Sequence, residues 1–93
     1  MKIKLTIDFK ADLKESVFFI SRDKPIAAQK FKNKLLQNIK KDLVNPFNYK
    51  KSIYFDHNNY RDYIYKGYAT VVRVDELNEI VYVIGILKHK IAL

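Results

Sequence analysis

At 93 residues, 48% of them hydrophobic, the chain is long enough for one modest core, too short for two, and too apolar to stay disordered. It has no cysteine, which excludes disulfides and thiolate chemistry. Net charge is +8, and residues 10–41 hold nine Lys or Arg against three Asp or Glu, a net of +6. That field suits a polyanionic partner (nucleic acid, an acidic protein, a phosphate-rich particle) as well as it suits a merely solvated, lysine-rich helix.

In chain order, Ile3, Leu5, Ile7 and Phe9 alternate with Lys2, Lys4, Thr6 and Asp8. A period of two predicts a strand with one buried face. From Ala11 the period changes: Leu13, Val17 and Ile20 share a helical stripe, with Asp12 and Glu15 in the early turns, where the helix dipole favours acids. Asp23-Lys24-Pro25 breaks that helix, and Pro25 suits the first position of the next one. The second helix is expected from Pro25 to Leu43. Ala28, Phe31, Leu35, Ile39 and Leu43 form its apolar stripe, Lys30, Lys34, Lys40 and Lys41 lie mostly off it, and Asn45-Pro46 ends it. So short a break between helices predicts an antiparallel helical hairpin.

The remainder is rich in strand formers. Lys51 to Phe55 reads as a strand and residues 56–59 as a turn. Tyr63 to Tyr65 and Ala69 to Val74 read as a β-hairpin reversing at Lys66-Gly67. After a turn at residues 75–78, Ile80 to Leu87 is almost wholly apolar, which predicts a central strand buried on both faces. The reading is a single α+β domain over residues 1–93, β-α-α-β-β-β(-β), with the helical hairpin across one face of a sheet. Met1-Lys2-Ile3-Lys4 lacks the apolar block of a secretory leader, and the longest apolar run is far short of a membrane span, so a soluble cytoplasmic protein with no membrane contact is expected.

Several segments, taken in order, resemble toxins of the bacterial RelE/ParE superfamily. They are Ala11-Asp12-Leu13, read as opening the first helix, Pro25 with Ala27-Ala28 opening the second, and Asn45-Pro46 closing it. Then come Ser52-Ile53-Tyr54-Phe55, Tyr60-Arg61-Asp62, Lys66-Gly67-Tyr68, Val72-Arg73-Val74-Asp75 and Ile84-Gly85-Ile86-Leu87-Lys88-His89. The resemblance spans nearly the whole chain and implies a mostly antiparallel sheet. It also implies a toxin of a type II toxin–antitoxin pair, held in a hetero-oligomer by a cognate acidic antitoxin. Such toxins act on DNA gyrase or, in the other branch, on the ribosome with mRNA. Arg61 matches the arginine that gyrase-type members carry just before this hairpin. Ala69 stands where many nuclease members place an arginine on the scissile phosphate, and Lys90 where some have tyrosine. These departures tilt the reading toward a non-enzymatic gyrase poison, with ribosome-dependent mRNA cleavage, or an inactive antitoxin binder, as alternatives.

Arg61 and His89 are the candidate catalytic residues, and Lys66, Arg73 and Lys88 the candidate target or nucleic-acid contacts. Arg61 beside Asp62 fits a surface ion pair, but arginine is also suited to bidentate phosphate contact, and that reading is favoured. Arg73 fits an exposed position on a strand. His89 has the pKa range of a general acid or base, although a lone histidine so placed is more often inert and that reading is favoured, and His57 reads as a turn residue. No zinc-ligand spacing, phosphate-binding glycine loop or Ser-His-Asp set occurs, so no metal or cofactor is expected.

Overall fold

The computed structural model describes residues 1–88. Among them the order is β1 (Lys2–Leu5), α1 (Ile7–Ser21), α2 (Pro25–Asp42), a single 3-10 turn (Pro46–Asn48), β2 (Tyr60–Tyr65), β3 (Tyr68–Asp75) and β4 (Ile80–Lys88). The strands form one sheet in the order β1-β4-β3-β2, antiparallel except that β1 runs parallel to β4. The α-helical hairpin covers one face. Phe9 and Leu13 of α1 and Phe31, Leu35 and Ile39 of α2 form one core with Tyr63, Val72, Val81, Val83 and Ile86 of the sheet.

The first strand is shorter than its alternation predicts. Thr6 caps α1: its hydroxyl oxygen accepts the Phe9 N–H at 3.1 Å, and its own O–H donates to the Val83 carbonyl at 2.9 Å. A satisfied cap starts the helix at Ile7, four residues before Ala11, overriding the period of two. Phe9 is therefore a buried helical residue, while Ile7 faces solvent. Asp12 lies well inside α1, where it does not serve the helix dipole. Its Oδ2 accepts the Ile86 N–H at 3.0 Å, next to an irregularity in β4 where Val71 pairs with Gly85 but Val72 pairs with Val83. A Cβ on Gly85 would lie 3.1 Å from that oxygen, so glycine is what admits the carboxylate.

Lys51–Phe55 is not a strand; Lys51 makes one isolated bridge to Arg61. The Ile53 N–H is taken by the Asp62 carboxylate and the Tyr54 N–H by the Ser52 hydroxyl. These donors are satisfied without a ladder, which removes the need for a fifth strand. β4 is central, as its composition predicts, but buried on one face only: Val81, Val83 and Ile86 are buried, while Tyr82 and Ile84 are half-buried. The β2–β3 reversal is a two-residue loop with positive φ at both Lys66 (50°) and Gly67 (79°), the pattern of a type I′ hairpin turn.

At the end of α2, the Tyr63 hydroxyl donates to Asp42 Oδ2 at 2.6 Å. Burial and this bond push the Tyr63 phenol well above its ordinary value of 10.0; burial and the Asp42 charge also raise Tyr49. A raised phenol pKa favours folding while the group stays neutral. That stability is complete below pH 10 and is lost as pH rises through the folded-state value. Unfolding free energy is thus expected to fall above pH 10, and Tyr63→Phe to flatten the fall. Denaturant titrations at pH 8 and above pH 10 check this; parallel declines in the two proteins would assign the effect elsewhere.

Candidate functional site

The candidate residues divide into three groups. Lys66 and Lys88 lie at the same end of the sheet, since Lys88 pairs with Tyr68, two residues after Lys66. Arg73 lies toward the other end, opposite Tyr82 and Tyr60. With about 3.3 Å of rise per strand residue, the six steps from Tyr82 to Lys88 separate Arg73 from the lysines by roughly 20 Å. His89 and Lys90 lie outside the described residues.

Arg61 is half-buried and fully engaged. Its Nε donates to the Asn58 carbonyl at 3.0 Å, Nη2 to Asn58 Oδ1 at 2.8 Å, and Nη1 to the Tyr49 carbonyl at 2.9 Å. The guanidinium also lies 4.8 Å from the centroid of the Phe47 ring. Arg61 and Asp62 do not form an ion pair. Asp62 is buried and holds the Ile53 N–H, so the two residues pin the 47–59 segment from opposite sides of β2. Arg73 is instead stacked, 4.5 Å from the Tyr82 ring centroid. His57 is a turn residue, its Nδ1 accepting the Asn59 N–H at 3.0 Å.

Two open grooves flank Tyr68 at the hairpin end. One, about 650 Å³, runs between α2 and the β2–β3 loop; Phe31, Tyr65 and Tyr68 contribute its rings, and Lys30, Lys34 and Lys66 its charges, with no carboxylate in the lining. Phe31 packs on both tyrosines, with centroids 5.7 Å from Tyr65 and 5.2 Å from Tyr68. The other groove, about 550 Å³, lies between α1 and the end of β4 and includes the exposed Phe18, Phe19 and Leu87 beside Arg22 and Lys88. The first can take an anionic segment with an apolar side. Lys66, at positive φ in the hairpin loop, lies on its rim. Sequence reading placed Lys30 and Lys34 off the apolar stripe without linking them to the hairpin, because only the docking of α2 on the sheet brings them to Lys66. Nothing in local pattern marked the exposed Phe18 and Phe19.

Comparison with known proteins comes to the same fold. A family model described as the ParE toxin of the type II toxin–antitoxin system parDE matches residues 3–93. Among solved structures, a chain of the chromosomal ParDE TA system from P. aeruginosa is similar, with a TM-score of 0.77 over 97% of each chain and 17% identity. No curated protein matches. No helix among the described residues is long and apolar enough to cross a membrane.

Proposed function

The chain belongs to the ParE toxin family of type II toxin–antitoxin systems, and on that premise we propose that it arrests bacterial growth in the cytoplasm until a cognate acidic antitoxin neutralises it. The match over residues 3–93 carries this reading. The finer proposal is a gyrase poison acting by contact. Ala69 supports it: fully buried in β3, it puts no cation where the resemblance would place a nuclease arginine. Lys66 and Lys88 are the proposed target contacts at the hairpin end. Arg61 serves them by holding the 47–59 segment, and His89, the next residue in sequence after Lys88, is proposed to act with them.

The groove beside α2 is the proposed antitoxin seat, because its three lysines and aromatic wall fit an acidic, amphipathic segment. Steering by this charge is expected to make association with the antitoxin salt-sensitive, the on-rate falling by about tenfold or more between low and high ionic strength. Stopped-flow mixing at several salt concentrations measures it, and a flat rate would remove the lysines from the encounter. The target is tested by induced expression without antitoxin. DNA breaks or supercoiling defects with intact transcripts are expected. Ribosome-dependent mRNA ends would move the protein to the nuclease branch, and unimpaired growth would leave only antitoxin binding.

A further inference from the structure

We propose that the sheet face turned away from the helices binds single-stranded nucleic acid, through the cross-strand row Lys4, Tyr82, Arg73 and Tyr60. Strand pairing sets Lys4 opposite Tyr82, Tyr82 opposite Arg73, and Arg73 opposite Tyr60. Residues directly opposite share a face of the sheet. The sequence neighbours of this row, among them Ile3, Leu5, Val72, Val81 and Val83, belong to or pack on the core beneath the helices. Alternation therefore turns the row outward. One transverse line across all four strands thus reads cation, ring, cation, ring.

The central cation of the row is held by a ring and by no ion pair among the described residues. The Arg73 guanidinium lies 4.5 Å from the Tyr82 ring centroid, and the ion pairs among the described residues, Lys41–Asp42 and Lys51–Asp56, leave it out. It contrasts with Arg61, whose three donor nitrogens are all bonded within the protein. The Tyr60 ring is stacked on Phe55 at 4.5 Å, and Phe55 is itself 41% exposed, so the aromatic shelf continues past the sheet edge. Two acids share this face: Asp62 is buried and holds the Ile53 N–H, and Asp75, which feels the Arg73 charge, is held toward the following turn by the Asn78 N–H and side-chain amide, at 3.2 and 2.9 Å.

The occupant follows from the alternation. With strands about 4.8 Å apart, the two tyrosines stand roughly 10 Å from one another with Arg73 between them. Two unstacked bases on the rings would leave the intervening phosphate over the guanidinium. Base–aromatic stacking accepts any base, whereas a duplex hides its base faces. An acidic peptide would answer the cations but leave the rings without planar partners. The proposal does not depend on toxicity or on the antitoxin, since it concerns binding by the isolated chain.

The test is fluorescence anisotropy with the purified full-length chain and labelled mixed-sequence RNA and DNA strands of about 12 nucleotides, with the matching duplexes alongside. Single strands should bind more tightly than duplex. Arg73→Ala and Tyr82→Leu should each weaken binding by about 5- to 50-fold. Lys4→Ala, on an exposed lysine that leaves the fold intact, should lower the salt slope by about one. Lys40→Ala, the same charge change on α2, should leave affinity within about twofold. Preference for RNA or for DNA supports the site and identifies the sugar it accepts. Equal affinity for duplex, equal loss in Lys40→Ala and Arg73→Ala, or no binding at low salt would overturn the proposal. So would an Arg73→Ala protein that loses a protein partner while keeping its oligonucleotide affinity.

Discussion

Arg61→Ala is expected to destabilise the protein by about 2–3 kcal/mol, because the guanidinium makes three hydrogen bonds that no other side chain can replace. Two of the acceptors are the backbone carbonyls of Tyr49 and Asn58, and the ring of Phe47 loses its cation as well. The 47–59 segment has no ladder of its own, so it should loosen before the sheet does. Limited proteolysis should cut there first, and denaturant titration should give the loss in stability. Arg61→Lys should recover a minor part, since an ammonium cannot span acceptors set out for a planar fork. Growth arrest by Arg61→Ala should fall only as far as the level of folded protein falls. Loss of toxicity at unchanged stability would instead make Arg61 a target contact.

Phe9→Ala is expected to cost more, about 3–5 kcal/mol. The ring is fully buried and packs in the cluster shared by both helices and the sheet. Against a total of roughly 5–15 kcal/mol for a domain of this kind, such a cavity leaves a marginal protein. Its Tm should drop by roughly 15 °C or more. The informative comparison is Ile7→Ala, at a position 84% exposed, which should change stability by less than about 0.5 kcal/mol. If residues 3 to 9 formed one strand, Ile7 and Phe9 would share its buried face and both substitutions would be costly. Thermal unfolding followed by circular dichroism separates the cases, and a large loss in Ile7→Ala would overturn the helical placement.

That pair shows how far the sequence reading reached. Pro25, Asn45-Pro46 and Lys66-Gly67 act through their own backbone, so they placed the helix boundaries and the hairpin correctly. Thr6 acts through a side-chain oxygen that competes with a plausible alternation, and the cap prevails. Ser52 and Asp62 do the same for Lys51–Phe55, turning a β-rich segment into an irregular one. The candidate site was less legible for the same reason. The Arg61 partners are carbonyl groups, which every sequence contains, and Asp62 beside it suggested a salt bridge that geometry declines. The row from Lys4 to Tyr60 draws one residue from each strand and exists only once register is set.

The parallel pairing of β1 with β4 has a consequence for synthesis. Lys2 is registered with Ile80 and Leu5 with Val83, so the first strand to leave the ribosome waits for the last one. The Thr6 hydroxyl that caps α1 is likewise tied to the Val83 carbonyl, 77 residues away. Loop closure on that scale is slow, and it cannot begin while the distal strand is still unmade. The helical hairpin can form early, but the sheet stays open at β1 until β4 has been made. Whatever the finished sheet binds, a nascent chain is expected not to present that surface until β4 has paired with β1.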